Sequence, residues 1–195
     1  WHDSFHDRLK LDAHDQYNST TDLMRQVIGL HEYSNVSIPY QNRTQAVKYM
    51  ISHDEQSLLQ EMVVFDNYTM MEALERDKFY ASILFTSLGT PMLWQGQEFG
   101  FKSGWTDENG DGNYDDEKLS YRPLDWSVLE TVDGQSHFNH YQKLIHLRKS
   151  NPSLSKGTFY DLFRYNNQGV IVYGYKDERV DGNDDQIVVI ANFSN

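Results

Sequence analysis

Cysteine is absent from the 195 residues, so disulfides and thiolate metal sites are excluded and the redox compartment is left open. Apolar runs long enough to span a bilayer are missing as well. Positive charge is scarce: 17 Lys and Arg stand against 29 Asp and Glu, a formal net charge of −12. Such an excess repels nucleic acid and anionic membrane surfaces, so neither is an expected partner. The chain opens on Trp1-His2-Asp3 without an initiator methionine, so a missing signal peptide carries no weight and further sequence is expected upstream. What is present suffices for a core, with 38% hydrophobic residues in a length suited to one large domain or a domain plus part of another.

The most informative stretch runs from Ala46 to Glu55. An apolar run, Ala46 to Ile51, ends abruptly in Ser52-His53-Asp54-Glu55. Strands buried on both faces read this way, and acids at the C-terminal end of such a strand sit where α/β folds keep their chemistry. His-Asp also occurs at His2-Asp3, His6-Asp7 and His14-Asp15, within a polar segment that reads as a solvated helix or loop. His2 and His6 are four apart, as in a metal-binding helix, but lack the intervening glutamate of the zinc-protease pattern. Only His53-Asp54 follows a buried-strand pattern.

Along the chain, Asn18 to Asp22 reads as a loop with a helix cap. Glu72 to Leu88 is helical, pairing Phe79 with Ile83 and Tyr80 with Leu84 and Leu88. Gly89 and Pro91 stop it, and Pro91 to Trp94 is a second short strand leading into Gln95-Gly96-Gln97-Glu98. Strand, helix, strand with acids at both strand ends argues for parallel βα units. A further helix fits Phe138 to Arg148, with Phe138, Tyr141 and Ile145 on one face and Arg148 and Lys149 complementing its C-terminal dipole. Beyond it, Thr158 to Tyr165, Val170 to Tyr175 and Ile187 to Phe193 read as an antiparallel meander of too few strands to close a sandwich.

Trp1-His-Asp-Ser-Phe-His-Asp, Tyr49-Met-Ile-Ser-His-Asp-Glu, Gly89-Thr-Pro-Met-Leu-Trp-Gln-Gly-Gln-Glu-Phe-Gly and Arg122-Pro-Leu-Asp-Trp together resemble, in order, segments of the α-amylase family of glycoside hydrolases, family 13. The resemblance implies an α/β fold: residues 1–154 as the last part of a (β/α)8 barrel, and 155–195 as the start of an all-β C-terminal domain. A complete barrel takes about 250 residues. On that map the nucleophile aspartate and acid/base glutamate lie upstream of Trp1. Asp54 matches the family's third acid, which stabilises the transition state, and His53 matches its substrate-binding neighbour. An α-glucan or oligosaccharide is the implied substrate. The implied activity is α-amylase-type hydrolysis of α-1,4 bonds; a glucan-branching transglycosylase or a non-catalytic glucan-binding homologue are the alternatives. A hydrolase would suit a secreted or periplasmic setting, a branching enzyme the cytoplasm. The resemblance gives Glu98 a supporting role, holding loops through hydrogen bonds. Against these roles stands a plainer one for Asp54, a strand-end cap.

No cofactor is required by this chemistry, but one segment suggests calcium. In Asp107-Glu-Asn109-Gly-Asp111-Gly112-Asn113-Tyr-Asp115-Asp-Glu117-Lys118, alternating oxygen donors with glycine at the sixth position match the first half of a calcium loop. Asp107, Asn109, Asp111, Asn113 and Asp115 would be the ligands. Position twelve, normally a bidentate glutamate, is Lys118, and the alternative is an acidic surface turn.

Overall fold

The computed structural model describes residues 1–15, 28, 40, 42, 45–105, 111, 121–165, 169–178 and 184–194. Asn18 to Asp22 lies outside them. The chain starts with α1 (Asp3–Ala13), in which Phe5, Leu9 and Ala13 recur every four residues and are buried. The segment read as solvated is therefore packed: His2, His6, Arg8 and Asp12 are buried too. Asp12 and His6 are tolerated there because they have polar partners, and the His2 ring stacks on Tyr40. Asp12 accepts from Tyr80 at 2.7 Å and pairs with Arg76, and His6 meets the Met50 carbonyl.

Strand β1 (Val47–Tyr49) pairs in parallel with β2 (Thr90–Met92), Val47 opposite Thr90 and Tyr49 opposite Met92. Between them run α2 (Leu58–Phe65) and α3 (Met70–Thr86), so the crossover between parallel strands is helical. Both strands are shorter than the apolar runs that announce them. Helix α3 starts two residues before the sequence pattern because Thr69 and Glu72 form a capping box. Its exit needs Gly89, whose φ is +104° and whose missing Cβ would lie 2.8 Å from the Ala46 carbonyl oxygen.

After a 3-10 turn (Gln97–Phe99) and the short α4 (Ser127–Glu130), α5 (Val132–Ser150) packs on α3. Its buried face is Gly134, His137, Tyr141 and Leu144, whereas Ile145 is exposed. The apolar periodicity found Tyr141 but misplaced Ile145, because a histidine is inside instead, bonded to the buried Asp77 at 2.8 Å. Arg148 does more than complement a dipole: its guanidinium donates to the carbonyls of Phe85, Ser87 and Gly89 at 2.6, 3.1 and 2.6 Å. It ties the last long helix to the end of α3 and the entry of β2.

A short α6 (Ser153–Lys156) leads to an antiparallel sheet of β3 (Thr158–Tyr165), β4 (Val170–Asp177) and β5 (Asp185–Asn192), in that order. Its inner face, with Ile171, Tyr173, Tyr175 and Ala191, joins the common core. Tyr175 donates to the Thr86 carbonyl, and the Tyr173 and Thr86 hydroxyls lie 2.6 Å apart, bolting the sheet to α3. The outer face exposes Tyr160, Leu162, Val188 and Ile190. No helix of the described residues is long and apolar enough to cross a membrane.

Candidate functional site

Leaving β1, the chain makes a tight turn over Ser52 to Glu55. The buried Ser52 closes it, accepting from Asp54 N–H through Oγ at 3.2 Å and from Glu55 N–H through its carbonyl at 3.3 Å. Further along, Gln56 and Ser57 anchor it to the loop after β2. Trp105 N–H donates to Gln56 Oε1 at 2.9 Å, and Ser57 N–H donates to the Ser103 carbonyl at 2.7 Å. The turn is thus tied at both ends beneath the two side chains it lifts into solvent, His53 and Asp54. Their Nε2 and Oδ2 atoms are 3.2 Å apart, and each side chain is 62% exposed. Asp54 is therefore not buried as a strand-end cap; its carboxylate is open to a ligand.

That carboxylate faces a cavity of about 530 Å³ lined by Trp1, Asp3, Asp7, Tyr49, Ser52, His53, Asp54 and Glu55. Helix α1 supplies one wall and the β1 turn the other. A smaller cavity of about 60 Å³ lies on the far side of the turn, lined by Ser52, His53 and Glu55 together with Trp94, Phe101 and Arg122. The His53 and Trp94 rings are 6.1 Å apart. So the ends of both parallel strands feed one neighbourhood, as a parallel register requires.

Charge at the site is mostly negative. Burial alone would depress His6, but its hydrogen bonds to Glu55 and to the Met50 carbonyl and the nearby acids prevail and raise it above 6.5. Asp7 is raised above its usual 3.8, first by burial and then by Asp3 and Glu55, although His6 opposes this. Tyr49 is pushed far up by burial and by its bond to Asp3, so its phenol stays a donor, 2.8 Å from Asp3 Oδ1. Such a wall suits ligands rich in hydroxyl groups and disfavours anions.

The helix wall was not visible as a site in the sequence. Asp3 and Asp7, which line the cavity, and the buried His6 between them stand in a segment that reads as solvated, and only the Phe5-Leu9-Ala13 stripe could have betrayed that their helix packs. Trp94 lines the smaller cavity, while Tyr121 is exposed. Near Glu98 the loop-holding bonds come from its neighbour: Gln97 accepts from Trp94 N–H and donates to Tyr141. Of the calcium pattern, Asp107, Asn109, Asn113 and Asp115 lie outside the described residues, and Asp111 is exposed. Among the described residues no group of three or more acids and histidines is arranged to hold a metal.

No protein-family model and no curated protein matches the chain. Solved structures do. A type I pullulanase from Bacillus subtilis, complexed with maltose, superposes with a TM-score of 0.69 at 19% identity over 98% of this chain. A pullulanase from Anoxybacillus, complexed with maltotetraose, gives 0.67 at 22% identity over 98%. A cyclomaltodextrinase gives 0.61 at 20% identity over 97%. The chain spans only 28, 28 and 27% of those three proteins, so its fold is that of a part of theirs.

Proposed function

We propose that this chain is the C-terminal part of a retaining α-glucan hydrolase of the α-amylase family, the region that delivers the third acid of the site. The observation that carries the reading is the strand-end turn, which sets His53 and Asp54 side by side at a 530 Å³ cavity. The structural likeness to two pullulanases bound to malto-oligosaccharides supports it.

In retaining hydrolysis one carboxylate attacks the anomeric carbon while another protonates the leaving oxygen. Both would come from strands preceding Trp1. Positive charge then develops at the ring, and the ring hydroxyls become better donors. Asp54, accepting from those hydroxyls, binds the transition state more tightly than the ground state. His53 donates to a hydroxyl of the same sugar, its ring braced against Asp54. Hydrolysis of α-1,4 bonds remains the first reading of the linkage.

The test is Asp54→Asn in the full-length protein that carries this chain, with maltooligosaccharide kinetics and thermal melts side by side. Turnover should fall about a thousandfold with the melting temperature unchanged, because an exposed carboxylate contributes little to folding. Retained turnover with a lowered melting temperature would make Asp54 structural. The acidic loop is proposed as a calcium site on sequence grounds alone. Chelation should lower the melting temperature of the wild type and leave Asp107→Ala/Asp111→Ala unchanged.

A further inference from the structure

His6 does not line the cavity beside Asp54, but Glu55 does, and the two are joined. The His6 ring is buried. Its Nδ1 lies 2.6 Å from the Met50 carbonyl oxygen, which can only accept, so Nδ1 carries a proton. Nε2 is thereby aimed at Glu55 Oε2, 3.5 Å away. Tyr49 stacks on the ring at 5.7 Å with planes 13° apart, holding that orientation. Among the described residues, the charged and titratable groups around His6 come from three elements. They are Glu55 from the turn, Tyr49 from β1 and Asp7 from α1, with Asp3 and Lys10 of the same helix acting on Asp7.

We propose that His6, when doubly protonated, is a positioning residue: its imidazolium draws Glu55 onto α1 and so fixes the turn that presents His53 and Asp54. Glu55 follows Asp54 directly, and its own N–H closes the turn on Ser52, so its side chain is the lever through which α1 reaches the site. Loss of the second proton removes the positive charge set against Glu55 and Asp7. The turn then keeps its Ser52 bonds but loses its tie to the helix, and Asp54 meets substrate at a less defined angle. The catalytic half of this inference rests on the reading of Asp54 given above; the structural half does not.

The experiment uses the full-length protein, as wild type, Glu55→Gln and His6→Gln. Histidine ring resonances are followed by NMR between about pH 5 and 9, and the backbone amides of residues 52–55 are followed in the same proteins carrying His53→Gln as well, so that the turn holds no histidine of its own. In parallel, kcat and KM for maltooligosaccharides are measured over the same range. Glu55→Gln should lower the His6 midpoint by about one pH unit. With His53 replaced, the amides of 52–55 should titrate with the His6 midpoint where His6 is present and lose that transition in His6→Gln. The alkaline limb of kcat should follow His6 downward in Glu55→Gln. In His6→Gln, kcat at about pH 6 should fall about tenfold with KM within about twofold.

An unmoved His6 midpoint, or amides that titrate independently of it, overturns the clamp whatever the protein hydrolyses. If the midpoint moves while the alkaline limb of kcat stays, the clamp is structural and its catalytic half is overturned. If the wild type cleaves no α-glucan, the glycosidase reading fails, the catalytic half falls with it, and the resonances alone decide the clamp.

Discussion

The same dipeptide, His-Asp, plays different parts at different places, and only its packing tells them apart. At His53-Asp54 both side chains are open to solvent; at His6-Asp7 the histidine is inside and the aspartate stands on the cavity wall, accessible yet partly desolvated. A raised His6 contributes stability that is complete below its ordinary value of 6.5 and is lost as pH rises through its folded value. The wild-type melting temperature should therefore decline above neutrality by more than that of His6→Gln, which has no proton to lose. Asp7 has the opposite effect. Its raised pKa means that the ionised form strains the fold at neutral pH, so Asp7→Asn should raise the melting temperature there and give no gain below 3.8. His53 and Asp54 were legible because they follow an apolar run. His6 and Asp7 were not, since their role depends on what covers α1, which a local pattern does not record.

Among the elements, the strands, the two long helices and the meander all stand where apolar periodicity put them, with ends moved by capping and pairing. Thr69 shows how a boundary can be read more closely: Thr-Met-Met-Glu is a capping box written in the sequence. The face of α5 was less legible. Apolar spacing favoured Phe138, Tyr141 and Ile145; Tyr141 is indeed inside, but the helix also turns His137 and Gly134 inward, because Asp77 on α3 satisfies the imidazole. A pairing 60 residues apart leaves no local trace. Arg148 is the corresponding fastener at the other end of that helix. Replacing it with alanine removes a cation from three carbonyls, and the loss should be about 2–3 kcal/mol in chemical denaturation. Arg148→Lys should recover only part of this, since one ammonium cannot span all three.

For the molecule as a whole, the meander was legible in the sequence, but the use of its outer face was not. Val188 and Ile190 are 62 and 73% exposed and share a face with Tyr160 and Leu162. An apolar surface of this kind on a three-stranded sheet favours self-association. Residues 1–195 made alone should bind a hydrophobic dye and sediment as aggregates at high salt, where the −12 net charge no longer keeps copies apart. Leu162→Lys/Ile190→Lys should reduce both. The same preparation should leave starch intact, because under the proposed function its nucleophile and proton donor are elsewhere.

The turn after β1 is a partition as well as a platform. Ser52, His53 and Glu55 line the cavities on both of its sides. Ligands in the two chambers would touch the same three residues, so whatever shift one makes in that wall the other would meet, with the same coupling factor in both directions. Trp94 belongs to one chamber and Asp7 to the other, and neither chamber is lined by both. Their substitutions should nonetheless combine non-additively in ligand affinity, with the coupling carried by the few residues between them.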